Sequence, residues 1–330
     1  MARRLLLVTL ALASGAAFAQ TRAPQQLQPV GTAGPVDKDT QTEDVRFRTD
    51  FFQRMTVPVL VSGTGPYRFL VDTGADRTAI SRELAARLNL EAGAQAELHS
   101  IAKASMVNTA TVPRLQLTRK EMRVADAPLL ASENIGADGI LGVDSLRSQR
   151  IMFDFEKQTM EIVPSATPDF TEEPGTIVVE ATRRNGRLIV TEATANDHSV
   201  VVIIDTGSQI SLGNQALHRA LLGNKQLSGS EAVTLESVTG DKLAGDYMSV
   251  REITMGPIGL KNLAIVFANS HIFKQLKLDN RPALLLGMNA MRAFKKVSID
   301  FASSRLRLIV PEHSELETRL AAAARPAAGR

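Results

Sequence analysis

The sequence predicts a mainly-β protein with few short helices, built from two β-rich lobes that are copies of one another. Three observations carry this. Apolar runs are short and bounded by turn residues, helical periodicity is confined to one stretch per half, and the same series of signals recurs on both sides of a proline-rich break. The first half holds Y-R-F-L-V-D-T-G-A, S-R-E-L-A-A-R-L-N-L, G-I-L-G-V-D-S-L and I-M-F-D-F-E-K-Q-T-M-E-I-V-P. The second holds V-V-V-I-I-D-T-G-S, N-Q-A-L-H-R-A-L-L, L-L-L-G-M-N-A-M and V-S-I-D-F-A-S-S-R-L-R-L-I-V-P. The two aspartates of D-T-G, 72 and 205, stand 133 positions apart, and Gly142 and Gly287 stand 145 apart. A duplicated lobe with loop insertions accounts for both spacings.

In chain order, residues 1–19 read as a signal peptide: Arg3-Arg4, an apolar run from Leu5 to Ala13, and a small-residue site at Ala17–Ala19. Residues 20–44, rich in Pro, Gly, Gln and Thr, read as a flexible leader. The first lobe is expected over 45–164. There M-T-V-P-V-L-V-S and Y-R-F-L-V flank the turn signal G-T-G-P, and Ser81 is placed to cap a helix over Leu84–Leu88. Residues 165–175, with prolines and acids, form the linker. The second lobe is expected over 176–312, where A-N-D-H separates two strands and Asn214 and Gly223 bound a helix over Ala216–Leu222. Each lobe closes with a hairpin, around E-K-Q-T and around A-S-S, and 313–330 is a frayed tail.

Composition excludes several functions. The formal charge of +3 falls to near balance once Arg3 and Arg4 are removed, which gives no sign of a nucleic-acid partner. Cysteine is absent, so disulfides, thiolate metal sites and cysteine nucleophiles are out. No segment after the signal is long and apolar enough to span a membrane, so export to a periplasm or the exterior is expected. The five histidines are scattered, with no metal-ligand spacing, and read as surface or loop residues. Ser100-Ile101-Ala102-Lys103 has serine-lysine spacing but lacks the partner motifs of that chemistry. Arg292 with Lys295 and Lys296 reads as a solvated face. No cofactor or metal is expected.

One D-T-G is an ordinary turn, since Asp accepts backbone amides and Gly takes positive φ. Two copies, each ending an apolar strand, need another reason. A carboxyl at the end of such a strand is desolvated and its pKa rises. If the lobes meet about a pseudo-two-fold axis, Asp72 and Asp205 face each other, and two carboxyls about 3 Å apart share one proton. Such a pair can take a proton from an attacking water and give one to a leaving nitrogen.

The stretch D-T-G-A-D-R-T, Asp72 to Thr78, resembles the active-site loop of retropepsins, and two such loops in one chain resemble pepsin-like aspartic proteases. The resemblance implies an acid-protease fold of two β-barrel lobes, a catalytic pair Asp72 and Asp205, and a peptide or protein substrate cut by a monomer. It further implies that Thr73 and Thr206 cross-link the loops and that Gly74 and Gly207 hold the turns. Ile140-Leu141-Gly142 and Leu285-Leu286-Gly287 would brace them. Where retropepsins commonly follow the brace with Arg and Asn, this chain has Val143-Asp144 and Met288-Asn289. Thr239-Gly240 fits the tip of a covering hairpin. The first-lobe counterpart, H-S-I-A-K-A-S-M-V-N, has neither glycine nor tyrosine, which predicts one-sided closure.

The loops differ after D-T-G. Ser208 is expected to donate to Asp205 and favour its charged form, whereas Ala75 offers Asp72 nothing. Asp76 is expected to brace its loop by accepting backbone amides, with substrate contact as the alternative. Two other functions fit the same residues: a binding module that keeps the fold without catalysis, and lobes pairing between chains as a homodimer.

Overall fold

The computed structural model describes residues 21–23, 26–27, 43–46, 48–49, 55–117, 120–146, 149–157, 159–164, 176–184, 187–223 and 231–310. The signal peptide, the linker and the C-terminal tail expected from the sequence lie outside them. So does most of the leader, of which Thr21–Ala23 pairs with Leu235–Ser237 and Gln26–Leu27 pairs with Leu98–His99.

Each half forms a closed ring of six strands. In the first, Met55–Val61, Thr64–Val71, Gly139–Leu141, Ala79–Ser81, Lys120–Leu130 and Thr109–Leu117 pair in that order, and the last pairs back onto the first. In the second, Arg187–Ala195, His198–Ile204, Ala283–Leu286, Ser211–Gly213, Ile258–Phe267 and Lys242–Met255 repeat the circuit and close the same way. The rings explain the unbroken apolar runs before each D-T-G. Phe69 and Val71 fill the barrel while Leu70 packs on its outer face, so one strand is buried on both sides.

Local signals place the turns. The first hairpin turns at Ser62 and Gly63, with φ of 51° and 79°, and Thr64 already pairs with Val61, so the loop is shorter than G-T-G-P suggests. The second turns at Asn196 and Asp197, with φ of 44° and 70°. The helix Arg82–Arg87 is capped by Ser81, whose hydroxyl accepts from the Leu84 amide, and Gln215–Leu222 is capped by Asn214 and stops at Gly223. Ser132–Ile135, Val143–Leu146, His271–Gln275 and Met288–Met291 are further short helices that the sequence pattern does not announce.

A third sheet joins the lobes. Its order is Thr176–Glu180, Arg305–Ile309, Lys296–Asp300, Gln149–Asp154, Thr159–Pro164 and Glu43–Arg46. At its centre the two closing hairpins pair antiparallel, with Met152 opposite Ser298. These two are equivalent positions of the repeat, so the pseudo-two-fold axis passes between them. Ile151, Phe153, Val297 and Ile299 are fully buried here and join one apolar cluster that runs through both barrels. Lys295 and Lys296 pair with Glu156 and Asp154, and Lys296 is buried, which replaces the expected solvated basic face.

Both lobes carry a further hairpin, and the two exchange tips. In the first lobe the arms are Ala96–His99 and Ala104–Val107; in the second, Glu231–Ser237 and the start of Lys242–Met255. Ile101, at the first tip, is buried among Ile203, Ile210 and Leu212 of the second lobe. Val238, at the second tip, is buried among Leu70, Ala75 and Ile140 of the first. The Ile101 carbonyl accepts from Ser270 Oγ (2.6 Å) and the His271 amide (2.9 Å). His99 Nδ1 lies 2.8 Å from His271 Nε2, and Lys103 pairs with Asp241 at 2.8 Å. The first hairpin is therefore as fully built as the second, and His99 and His271 are a packed pair, not scattered surface groups. The second tip has Gly240 at φ 81°, closed by the Gly240 amide on the Ser237 carbonyl and by the Thr239 hydroxyl on Asp241.

Candidate active site

The strand Thr64–Val71 delivers Asp72 and the strand His198–Ile204 delivers Asp205. Behind each, the expected brace runs parallel. The Asp72 amide donates to the Leu141 carbonyl (3.0 Å) and the Asp205 amide to the Leu286 carbonyl (3.1 Å). Ile140 and Leu285 lie on the outer faces of these braces, within the apolar clusters that receive the hairpin tips. Gly142 and Gly287 close each brace, donating to Thr78 Oγ1 and Ser211 Oγ, both at 3.1 Å. A Cβ on Gly287 would stand 2.8 Å from the Ile210 carbonyl, which is why the brace ends in glycine.

Asp144 and Asn289, which depart from or retain the retropepsin pattern, do the same work. The amide and hydroxyl of Thr78 donate to Asp144 Oδ1 (2.9 and 2.8 Å), and those of Ser211 donate to Asn289 Oδ1 (2.9 and 2.8 Å). Both side chains supply that acceptor oxygen, and Asn289 also donates through Nδ2 to the Ala264 carbonyl (2.8 Å), which a carboxylate cannot do. Asp144 and Asn289 stood out in the sequence only as the residues after each brace, and Thr78 and Ser211 had no role assigned. Their signal was present, because each pair obeys the spacing of the repeat.

The two loops cross-link as expected. The Thr73 amide donates to Thr206 Oγ1 (3.1 Å) and the Thr206 amide to Thr73 Oγ1 (3.0 Å). Each hydroxyl then donates across the axis, Thr73 to the Ile204 carbonyl (3.2 Å) and Thr206 to the Val71 carbonyl (2.9 Å). This reciprocal set lies within one chain and brings the Asp205 carboxyl against Gly74, whose amide donates to Asp72 Oδ1.

The environments of the two acids differ. Asp72, 0% exposed, accepts the Gly74 and Ala75 amides on Oδ1 (2.8 and 3.0 Å), while Oδ2 meets no donor among the described residues. Burial, then the charge of Asp205, pushes Asp72 well above the usual aspartate value, against the pull of those amides. Asp205, 2% exposed, accepts the Gly207 amide on Oδ1 (3.0 Å). Burial raises it to about 6, opposed by the Gly207 amide and by Arg187. The Ser208 hydroxyl donates to the Ile210 carbonyl (2.9 Å), so its one proton does not go to Asp205 as the sequence suggested. Gly74 must be small, because a Cβ there would lie 2.5 Å from Asp205 Oδ1.

Asp76 is braced, though not by backbone amides. It pairs with Arg187 of the second lobe at 3.1 Å, and burial raises it to about 7 with Arg187 pulling the other way. Arg187 also donates through Nε to the Gly74 carbonyl (3.2 Å). Its partners are more than a hundred positions away, so only the repeat marks it: Arg54 stands 133 positions before it, as Asp72 does before Asp205.

Two symmetric loops of this kind meet a specific pair of matches. Residues 57–148 match the family described as gag-polyprotein putative aspartyl protease, and residues 191–290 match that described as aspartyl protease. The chain belongs to the retropepsin-like aspartyl protease family. Each match covers one D-T-G loop with its brace, so the retropepsin-like unit occurs twice. No curated protein matches the chain. Ser100, of the serine-lysine spacing, is a turn residue of the first hairpin: its Oγ accepts the Ala102 and Lys103 amides and donates to the Lys103 carbonyl. Among the described residues no helix is long and apolar enough to cross a membrane, and no three metal-binding side chains cluster.

Proposed function

We propose that this aspartyl protease cuts peptide bonds with a water activated between Asp72 and Asp205. The observation that carries the reading is the buried pair: Thr73 and Thr206 tie the two loops together, the Asp205 carboxyl lies against Gly74, whose amide donates to Asp72, and burial raises both acids above their usual value. Two buried carboxyls that face each other share one proton, and they titrate as a unit. Asp205, ionised, takes a proton from the water as its oxygen bonds to the carbonyl carbon. Asp72, protonated, gives its proton to the carbonyl oxygen. Collapse of the tetrahedral species breaks the carbon–nitrogen bond, the proton gained by Asp205 passes to the amine, and the hydroxyl proton returns to Asp72. No charge is left without a partner at any step. The substrate is an extended polypeptide lying between the barrels, admitted when the two hairpins part. The active unit is the single chain.

Export belongs to the same reading. The basic start, short apolar run and Ala17–Ala19 site support cleavage after Ala19 and delivery to a periplasm or the exterior. N-terminal sequencing of the mature protein is expected to begin at Gln20. For the activity, the purified chain and an Asp72→Asn/Asp205→Asn control are incubated with a diverse peptide library from acidic to neutral pH. Cleavage by the native chain alone is expected, with the control slower by at least about 10²-fold. Equal cleavage by both, or none by either, overturns the proposal.

A further inference from the structure

His99 and His271 meet where the first hairpin docks on the second lobe, and the two-aspartate chemistry does not use them. His99 Nδ1 lies 2.8 Å from His271 Nε2. The ring planes are within 11° of parallel and the centroids stand 5.1 Å apart, so the rings meet end to end along one N–H···N bond. That bond joins the hairpin strand Ala96–His99 to the helix His271–Gln275, beside the contacts of the Ile101 carbonyl with Ser270 Oγ and the His271 amide. His99 is 5% exposed, so the docked hairpin leaves its ring little water to turn to.

Counting protons shows what the bond tolerates. Two neutral imidazoles carry one N–H each, and one of these fills the bond. One extra proton leaves both outward nitrogens protonated, with Glu97 3.8 Å from His99 Nε2, and the bond survives. A second puts N–H against N–H at 2.8 Å between two cations, and the bond is lost. The docked pair therefore holds at most one extra proton, whereas the rings of an undocked hairpin each take one near the ordinary value of 6.5. The other charges here are Glu97, which faces both rings, and Lys274, on the helix of His271. Ala104–Val107 and Gln26–Leu27, paired with the hairpin strand, carry no titratable side chain. Lys120–Leu130 shares an apolar cluster with it through Leu130 and Leu98, and its Glu121, Arg123 and Asp126 are exposed. Lys103, at the tip, is paired with Asp241. Burial, then His99 and Lys274, holds His271 below the usual histidine value, with Glu97 pulling the other way.

We propose that His99 and His271 form an acid-released latch, whose double protonation frees the first hairpin from the second lobe and opens the cleft to substrate. The latch is fully present above pH 6.5 and weakens as pH falls below it. Because release takes up one more proton, the open fraction rises by up to about tenfold per pH unit. Admission of substrate rests on the two-aspartate reading; release of the hairpin does not.

The test reads release directly, as amide protection factors across Ala96–Val107 from about pH 7.5 to about pH 5, where ordinary carboxylates keep their charge. Phe69–Val71 and Val202–Ile204 serve as the reference. Relative to them, hairpin protection in the native chain is expected to fall by about tenfold or more. His99→Asn/His271→Gln places an amide at each bonding position and cannot titrate, so its hairpin protection should not change with pH. Flat protection in the native chain overturns the latch, and so does an equal fall in the double variant. Should the double variant not fold, nitrogen-15 NMR of the native imidazoles decides. Two rings that both become cations near pH 6.5 while the hairpin stays protected overturn the latch, and release that coincides with the second protonation supports it. The kcat/KM of the native chain relative to the double variant should rise over the same interval; a constant ratio overturns the role in admission. A library that is never cleaved overturns the protease reading and leaves the exchange result standing.

Discussion

Asp205 is expected to cost the folded protein stability at neutral pH. Its folded value of about 6 lies above the ordinary 3.8, so folding favours the protonated form. Its contribution is fully present below 3.8 and declines as pH rises through about 6. Asp76, at about 7, and Asp72, raised further from its ordinary value by burial and Asp205, act in the same direction. Asp205→Asn should therefore melt at a higher temperature than the native chain near neutral pH, by on the order of 1–3 kcal/mol, and the two should converge in acid. Melting curves at both ends of that range decide it; a constant difference would mean that Asp205 ionises freely. Gly74→Ala is expected to fold and to lose most activity, since its Cβ would displace the Asp205 carboxyl from 2.5 Å away. At this scale the sequence was legible wherever the repeat vouched for a residue, as at Asp72, Thr73 and Gly142. Asymmetric residues were not. Ser208 sent its proton to Ile210, and Asp76, whose repeat counterpart is Gln209, paired with Arg187 of the other lobe.

The hairpins show what a pattern can hide at the scale of one element. The second tip was readable because Gly240 takes φ 81°, a conformation that glycine tolerates at little cost. The first was unreadable because Ser100 does the turning with its hydroxyl, accepting two amides and returning its proton to Lys103. The anchor of that hairpin is also invisible locally, since Ile101 packs among second-lobe residues at least 88 positions distant in the chain. Removing that anchor should release one element and spare the barrels. In Ile101→Ala, amide exchange across Ala96–Val107 is expected to quicken by about 10-fold or more, with Phe69–Val71 and Val202–Ile204 unchanged. If exchange rises everywhere equally, the hairpin belongs to the global unfolding unit and is not a separate lid.

The whole molecule is held by a sheet to which both lobes contribute, and that sheet predicts how a single lobe behaves. The sequence showed the two closing hairpins as equivalents, 146 positions apart, without showing that they pair. In the structure Arg150 opposes Asp300, Ile151 opposes Ile299, Phe153 opposes Val297 and Asp154 opposes Lys296. A first lobe alone, residues 45–164, exposes the edge Gln149–Asp154 and the apolar face behind it. An unpaired edge with buried-type side chains seeks another strand. A second copy fits about the same axis, with Met152 opposite itself and Arg150 opposite Asp154, so opposite charges still meet. The cost is in volume, because Ile151 and Phe153 would then oppose each other where Phe153 now meets the smaller Val297. The isolated lobe is therefore expected to form a concentration-dependent homodimer, weaker than the covalent pairing of the full chain, in which two copies of Asp72 face one another. Sedimentation equilibrium reads the mass directly. A folded monomer at every concentration would show that the central sheet is not what the lobe needs to close its core.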